Sequence, residues 1–292
     1  MKTVALCPNP KRDVGFRYTK EALQRLKALG YSCLLTFPFE TEITGEELGL
    51  PLLPLKDAVE QADLLISLGG DGTILRIAPD AAKCRCPILA VNVGHLGFIC
   101  DLEMDEVPMI SDLSKEPWKI ESRMMLDVKV YRGDREVYHA LALNEAVINK
   151  GAVSQVLNLG TSINGEHMFD LKGDGLIVAT ATGSTGYSRS AGGPVMSPNI
   201  RGIIVTTLCA MNLSVGSWIL QAEDVVTVST LERGHMSGFL SVDGGRAFSL
   251  RKGDRVEIRR SGYETQLLRL KNRGFFDEYD RKMGIGGFRN EK

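Results

Sequence analysis

Long apolar segments and an excess of charge of one sign are both missing from this sequence. No uninterrupted apolar run reaches the about 18 residues that a membrane-spanning helix needs, so we expect no membrane partner. The formal net charge is -1 over 292 residues, whereas general nucleic-acid binders carry a clear basic excess, so we expect no nucleic-acid partner. The apolar fraction of 43% supports a sizeable core, and the length suits two compact domains or one large one.

The spacing of zinc ligands is also missing among the cysteines. Of six cysteines, only Cys84 and Cys86 lie close together, and a single Cys-x-Cys pair lacks the spacing of zinc ligands. The four histidines show no His-Glu-x-x-His pattern. The chain starts directly in a strand-like pattern without signal-peptide features. We therefore expect reduced thiols and a cytoplasmic protein.

The most informative stretch joins an apolar run to two glycines and an acid. Residues 64–68 predict a buried strand that ends at Gly69 and Gly70. Thr73 is the predicted cap of a helix over residues 74–78. Backbone N–H groups and the dipole at a helix start favour an anion, yet Asp71 would repel a phosphate. A carboxylate here is expected to accept a proton or to hold a metal that offsets the charge.

The order of predicted elements indicates two domains of different class. Strands alternate with helices in the first part of the chain, which indicates an α/β layer with a parallel sheet. Later, short strands and turns recur, including a hairpin turn at residues 132–134, which is typical of a mainly β, sandwich-like domain. We expect an α/β nucleotide-binding domain over residues 1–118 and a β-rich NAD-binding domain over residues 119–267. Residues 268–292 are expected to pack back on the first domain, with a helix at 275–282.

Two predicted loops lie at the same edge of the parallel sheet. Asp71 and residues 94–98 (Gly-His-Leu-Gly-Phe) each follow a predicted strand at its carboxyl end. Ligands of open α/β sheets bind beyond these ends. We therefore expect the two loops to be neighbours.

Polar residues interrupt an apolar strand predicted over residues 137–148. A carboxylate such as Glu145 can accept both vicinal hydroxyls of a ribose, and an amide such as Asn144 can donate and accept at a base or phosphate. The pair therefore indicates a ligand clamp. The alternative is a pair of solvated side chains where the strand leaves its pairing.

A longer motif, DGLIVATATGSTGYSRSAGGP, covers residues 174–194. Here a strand runs into a loop of glycines and small hydroxyl residues, which brings backbone and short donors close to a flat or anionic ligand. Tyr187 is placed to lie along a base or ribose. The alternative is a flexible Ser/Gly linker.

Taken together, these motifs resemble the NAD kinase family. GGDGT alone is shared with 6-phosphofructokinases and with diacylglycerol and sphingosine kinases, whereas GHLGF, Asn-Glu and the long motif in this order resemble NAD kinases over most of the chain. The chain departs from the usual long motif with Ala179 and Ala181, where Ser and Pro are common, and with Gly186, where Ala is usual. A later segment, SVDGG, has Gly245 where Gln is frequent.

The resemblance implies a reaction and its partners. The enzyme would transfer the γ-phosphoryl of ATP, or a phosphoryl of polyphosphate, to the 2′-hydroxyl of the adenosine ribose of NAD, giving NADP. Asp71 would be the general base. A divalent cation, Mg²⁺, would be held mainly by phosphates and by no protein metal ligand. The expected assembly is a homodimer or homotetramer.

The resemblance also implies the nucleotide-binding residues. Backbone N–H groups of Gly72 and Thr73 would hold phosphate oxygens, and Phe98 would pack against the dinucleotide. Asn144 and Glu145 would bind sugar and base. The other positions expected to bind substrate or nucleotide are Lys172, Asp174, Thr182, Thr185, Gly186, Tyr187, Ser188, Arg189, Ser190, Asp243 and Gly245.

Several alternatives stay open from the sequence. Arg12, Arg17, Arg76 and Arg189 are candidates for contact with a triphosphate, and nothing in the sequence ranks them. A lipid or sugar kinase with the same GGDGT motif is one alternative function, and a non-catalytic NAD(P)-sensing module is another. Donor preference, selectivity for NAD over NADH and product inhibition are not determined.

Overall fold

The structure, a computed structural model, describes the chain except for residues 1, 40, 44, 95–96, 152–155, 212–215, 232–237, 273 and 284–292. The chain divides into two compact units. Unit 1 contains Met1–Ser122 and Thr265–Lys292, and unit 2 contains Arg123–Glu264. None of the described helices is long and apolar enough to cross a membrane.

The helices and strands have the following bounds. The strands are β1 (Thr3–Pro8), β2 (Ser32–Leu35), β3 (Leu64–Gly69), β4 (Ile88–Asn92), β5 (Leu102–Glu103), β6 (Lys119–Arg132), β7 (Arg135–Ala142), β8 (Glu145–Asn149), β9 (Leu157–Ile163), β10 (Glu166–Gly173), β11 (Gly175–Thr180), β12 (Gly202–Leu208), β13 (Ser217–Gln221), β14 (Val226–Thr230), β15 (Gly238–Val242), β16 (Phe248–Leu250) and β17 (Asp254–Arg269). The α-helices are α1 (Arg17–Ala28), α2 (Leu55–Gln61), α3 (Asp71–Lys83), α4 (Tyr187–Ser190) and α5 (Phe275–Met283). Short 3₁₀ segments occupy Val14–Phe16, Gly45–Leu48, Met104–Ser114 and Gly183–Thr185.

Unit 1 is built on a parallel sheet. β1 lies between β2 and β3, and β4 lies between β3 and β5, with parallel pairing throughout this order. Every residue of β3 is buried, as expected for a strand covered on both faces. Buried side chains of α1 and of the 3₁₀ segment Met104–Ser114 join the same core. The predicted α/β class and its parallel sheet are confirmed.

Unit 2 is mainly β, with two sheets around one core. One sheet contains the antiparallel order β10-β9-β14-β17 and the β6–β7 hairpin. The other has the order β13-β12-β11-β8-β15-β16. Buried residues from both sheets, such as Leu126, Val178 and Val228, form one cluster. Arg132 pairs with Arg135 across the predicted hairpin turn, so the turn and the sandwich-like character of this domain are confirmed.

The helix after the two glycines begins earlier than predicted. Gly70, in an extended conformation, is the N-cap of α3, and Asp71 is its first residue. Thr73 is therefore not the cap; its Oγ1 instead accepts a hydrogen bond from Asn9 Nδ2 at 3.2 Å. Ile74, Ile77 and other buried residues recur along α3 at helical spacing, so the apolar face extends through the helix while Asp71 stays at its start.

The strand predicted over residues 137–148 is also not continuous. β7 ends at Ala142 and β8 begins at Glu145, with a bend at Leu143 and Asn144. The backbone N–H groups at this bend bond to a side chain, as described below. Local apolar pattern does not detect such an interruption, because the partner lies about one hundred residues away in the chain.

Gly175 at the start of β11 provides a test of this packing. Its φ is +157°, and a Cβ there would collide with the carbonyl oxygen of Ile148 on the neighbouring strand. We expect Gly175→Ala to lower the free energy of unfolding by roughly 1–3 kcal/mol, the usual effect of overpacking, measured by urea denaturation. Gly262→Ala is the matched control, because a Cβ at Gly262 meets nothing within 4 Å. Equal stability of the two variants would contradict this packing.

Candidate active site

The carboxylate of Asp71 is held by the loop that follows β4. Phe98 N donates to Oδ2 at 2.6 Å, and Ile99 N donates to Oδ1 at 3.2 Å. A Cβ at Gly97 would lie 2.5 Å from Oδ1, so the loop approaches this closely only with glycine there. The expected proximity of Asp71 to the loop at residues 94–98 is confirmed, although His95 and Leu96 lie outside the described residues.

These hydrogen bonds orient the carboxylate of Asp71 but do not occupy all of its acceptor lone pairs. Each carboxylate oxygen has two lone pairs, and one backbone N–H occupies one of them on each oxygen of Asp71. Asp71 is half-buried. It can therefore accept a further hydrogen bond or a proton from a bound hydroxyl in a fixed direction.

The neighbouring backbone groups differ in availability. Thr73 N already donates to the carbonyl oxygen of Gly70 at 2.8 Å, so this N–H is not free for a phosphate. Gly72 is exposed in the first turn of α3, where N–H groups lack intrahelical acceptors. The structure thus favours Gly72 over Thr73 as a backbone donor.

Of the candidate arginines, Arg12 lies against this turn. A Cβ at Gly70 would lie 2.9 Å from Arg12 Nη1, and one at Gly94 would overlap the same atom. The guanidinium therefore lies against the backbone at the ends of β3 and β4. Arg17 is placed differently, with its guanidinium carbon 5.4 Å from the ring centre of Tyr18.

Phe98 directs its side chain towards the C-terminal helix. Its ring centre lies 5.9 Å from that of Tyr279, and Lys282 Nζ lies 5.5 Å from the same ring centre. Helix α5 therefore contacts the loop that holds Asp71.

In unit 2, Asp243 organises the bend between β7 and β8. Its carboxylate accepts hydrogen bonds from the backbone N–H groups of Leu143, Asn144 and Glu145 at 2.6, 2.9 and 2.9 Å. Burial raises the pKa of Asp243 to about 6, and the three N–H donors oppose this rise. The carboxylate is thus engaged by backbone, which explains the interruption of the predicted strand.

Asn144 and Glu145 place buried polar side-chain atoms beside Gly186. Asn144 Oδ1 and Glu145 Oε2 are buried without a hydrogen-bond partner among the described residues. A Cβ at Gly186 would lie 3.2 Å from Glu145 Oε2 and 3.5 Å from Asn144 Nδ2, so the fold brings these three positions together. Burial, and secondarily the charge of Asp243, raises the pKa of Glu145 to about 8. Buried polar groups are nearly always bonded, so these two oxygen atoms can accept hydrogen bonds from water or from a polar ligand.

The long motif contributes both buried and exposed residues. Thr182 is buried and accepts a hydrogen bond from Arg123 Nη1 at 3.3 Å, and Thr185 Oγ1 donates to the carbonyl oxygen of Thr182 at 3.2 Å. Ser188 is fully buried, with Oγ 3.1 Å from Thr206 Oγ1. The hydroxyl of Ser188 is therefore bonded inside the core of unit 2.

The exposed part of the motif is the short helix α4. Tyr187 is 45% exposed, Ser190 is exposed and Arg189 is half-buried. A large aromatic ring that is accessible beside Gly186 can stack on a flat ligand.

Three further predicted site residues lie in unit 2, at different distances from Asn144 and Glu145. Lys172 is exposed on β10, in the other sheet from β8 and β11. Asp174 lies at the end of β11 remote from Glu145, and it pairs with Lys150 at 2.7 Å. Gly245 is exposed in the turn after β15, two residues beyond Asp243, whose carboxylate bonds to the N–H groups of Asn144 and Glu145. The structure does not bring Lys172 and Asp174 to Asn144 and Glu145.

Sequence reasoning missed Cys100 and Arg123. The thiol of Cys100 donates to Asp71 Oδ1 at 3.6 Å, and burial, more than the charge of Asp71, raises its pKa well above the usual value. The sequence could have indicated Cys100, because it lies two residues after Phe98 in the loop that was expected beside Asp71. For Arg123, which contacts Thr182, the sequence offered no such indication. Among the described residues, no group of three or more His, Cys, Asp and Glu side chains is arranged to hold a metal ion.

Comparison with known proteins identifies the family. The family model of the ATP-NAD kinase N-terminal domain matches residues 54–113, and that of the ATP-NAD kinase C-terminal domain matches residues 143–270. An NAD kinase of Natranaerobius thermophilus is 35% identical over 288 residues, covering 98% of this chain and 99% of the relative. This chain belongs to the NAD kinase family of enzymes. An NAD kinase of a Thermoanaerobacter species is 36% identical over 280 residues, covering 95% of this chain and 97% of the relative.

Solved structures of NAD and NADH kinases share the fold. Yeast NADH kinase complexed with NADH has a TM-score of 0.84 at 24% identity, covering 100% of this chain and 89% of the other. An NAD kinase from Archaeoglobus fulgidus in complex with ATP has a TM-score of 0.74 at 24% identity, covering 97% and 98%. The predicted family, fold class and enzyme class are confirmed, and NAD kinase is favoured over a lipid or sugar kinase.

The raised pKa of Glu145 predicts a dependence of stability on pH. Between its ordinary value of 4.5 and about 8, the folded chain keeps a proton on Glu145 that the unfolded chain releases, so stability falls as pH rises through this range. The melting temperature of the wild-type chain should fall between about pH 6 and pH 8.5, and we expect this fall to be smaller in Glu145→Gln. Each kcal/mol of pH-dependent unfolding free energy that the variant lacks should reduce the fall by roughly 2–4 °C. Glu166→Gln, at the exposed start of β10, should leave the fall unchanged. Parallel curves for wild type and Glu145→Gln would refute the assignment.

Proposed function

We propose that this enzyme transfers the γ-phosphoryl of ATP to the 2′-hydroxyl of the adenosine ribose of NAD, giving NADP and ADP. The observation that carries the proposal is the orientation of Asp71 by Phe98 N and Ile99 N. Asp71 accepts the hydroxyl proton as the new P–O bond forms and the bond from the γ-phosphorus to the ADP oxygen breaks. The ATP complex of the A. fulgidus relative supports ATP as the donor.

A carboxylate is a weak base, with an ordinary pKa of about 3.9, but it suffices for this reaction. In a loose transition state the attacking hydroxyl needs little deprotonation, so its proton can leave late. Most of the acceleration then comes from alignment and from neutralising phosphate charge. A Mg²⁺ ion held mainly by the donor phosphates would supply part of that neutralisation. Backbone N–H groups already bond to both oxygens of Asp71. We therefore assign this carboxylate to proton transfer rather than to metal binding.

For the acceptor, we propose that Glu145 and Asn144 bind ribose and base. Their buried oxygen atoms lack partners among the described residues, and ribose hydroxyls would supply them. Tyr187 would lie along the dinucleotide, and Gly186 would leave room for it. Asp243 would act through the backbone it holds rather than through the ligand. The NADH complex of the yeast relative supports a dinucleotide acceptor. A homodimer or homotetramer stays a prediction of the family resemblance, and a cytoplasmic location stays a prediction from the cysteine pattern.

A coupled assay tests the function directly. The purified chain with NAD, ATP and Mg²⁺ is expected to form NADP, with NADH and polyphosphate as parallel alternatives for acceptor and donor. If NADP forms with polyphosphate but not with ATP, the donor is polyphosphate and not ATP. Binding of NAD without formation of NADP under any donor would overturn the proposal in favour of an NAD-sensing module.

Asp71→Asn tests the proposed base. We expect turnover to fall roughly 10²–10⁴-fold, the usual contribution of a general base, because the amide cannot accept the proton. Asp80→Asn, on the same helix α3, is the matched control and should retain turnover. A loss below about tenfold in steady-state assays would be incompatible with this role.

We propose that Arg12, whose guanidinium lies against the backbone at the ends of β3 and β4, contacts the donor phosphates. The variant Arg12→Met tests this contact. Loss of one charge-assisted hydrogen bond should raise the KM for ATP roughly tenfold or more, while the KM for NAD stays within about twofold. Arg12→Lys should restore part of the affinity, and Arg17→Met is the control on the neighbouring helix. If Arg12→Met changes both KM values equally, Arg12 does not contact the donor.

A further inference from the structure

The backbone that holds Asp71 is itself bonded to a buried arginine. Ile99 donates its N–H to Asp71 Oδ1 at 3.2 Å, and its carbonyl oxygen accepts a hydrogen bond from Arg269 Nη1 at 2.8 Å. Arg269 is the last residue of β17. A single residue therefore joins the carboxylate of Asp71 to the end of a strand almost two hundred positions later in the chain.

The guanidinium of Arg269 uses separate nitrogens for separate partners. Its Nε donates to Glu121 Oε2 at 2.6 Å, and its Nη1 lies 3.8 Å from Asp101 Oδ1. The side chain is only 12% exposed, so its charge requires carboxylate partners. Pairing with the carboxylates compensates the charge without any contact to Ile99. The bond to the Ile99 carbonyl is an additional constraint, set by the planar geometry of the guanidinium.

The chain that follows Arg269 contacts the same loop. Asp101 Oδ2 accepts hydrogen bonds from Leu270 N at 2.8 Å and from Lys271 N at 3.2 Å. Further along, Tyr279 contacts the ring of Phe98 with 5.9 Å between ring centres. The C-terminal part of unit 1 thus fixes Phe98, Ile99 and Asp101, which include both residues whose N–H groups orient Asp71.

We propose that Arg269 is a positioning residue for phosphoryl transfer, acting on Asp71 through the peptide groups of Phe98 and Ile99. The inference rests on the proposed role of Asp71 as proton acceptor. Displacement of a catalytic group by about 1 Å can reduce turnover roughly 10²-fold, and Arg269 holds the backbone that sets this position. The competing interpretation is that Arg269 only stabilises unit 1.

Arg269→Lys separates the two interpretations. A lysine retains the positive charge beside Glu121 and Asp101, but its single nitrogen cannot occupy both the Nε and the Nη1 positions. We expect kcat to fall about tenfold or more, with the KM values for NAD and ATP within about twofold of wild type. Arg260→Lys is the matched control, because Arg260 lies on the same strand β17 and pairs with Glu223 and Glu264.

A double-mutant cycle identifies the residue through which Arg269 acts. If it acts through Asp71, Arg269→Lys should reduce kcat in the wild-type enzyme but leave the residual kcat of Asp71→Asn within about twofold. A purely structural role would lower both backgrounds by the same factor, and that result would overturn the inference.

Native-state amide hydrogen exchange gives a readout that does not depend on activity. The amides of Phe98 and Ile99 should exchange at least about tenfold faster in Arg269→Lys, whereas the amides of β3 keep their wild-type rates. Unchanged exchange at residues 98 and 99 would overturn the inference, even if NADP formation were confirmed. Failure of the proposed function would appear differently, as wild-type enzyme that forms no NADP.

Discussion

The hydrogen bonds from the loop after β4 to the carboxylate of Asp71 are the contacts on which the candidate site depends. They require β3 and β4 to be parallel neighbours in register, with Leu68 beside Val91 and Gly69 beside Asn92. Parallel pairing places both carboxyl ends at one edge of the sheet. The extended conformation of Gly70 then starts helix α3 at the acid itself, so Asp71 faces the loop within the first turn.

Both units use backbone N–H groups to hold an acid, but with different consequences. Asp243 accepts three such bonds at the bend between β7 and β8, which engages its carboxylate with its own fold. Asp71 accepts two from backbone and one from the Cys100 thiol, which leaves a lone pair on Oδ2. All three donors to Asp243 are backbone groups of one bend, so this acid shapes the backbone, whereas Asp71 is half-buried and its Oδ2 can take a further partner.

The site around Glu145 is retained at a cost in stability. Burial and the nearby charge of Asp243 raise its pKa to about 8, and one of its oxygens has no partner among the described residues. A buried polar group without a partner costs about 1–3 kcal/mol. This cost is offset when a bound ligand forms the missing hydrogen bond. Strongly shifted pKa values also cluster at functional sites, where burial and nearby charges act on ionisable groups.

Local sequence determined the elements and the identity of the acid, because strand and helix periodicity, glycine pairs and short motifs act over a few residues. The alternation of strands and helices also sufficed to make Asp71 and the following loop neighbours. Tertiary structure decided what each polar side chain bonds to. The break at Leu143 and Asn144, the use of Asp243 by backbone, the separation of Lys172 from Glu145 and the contact of Arg269 with Ile99 all depend on pairing between distant segments. That pairing follows from packing of the whole core, which no short window of sequence contains.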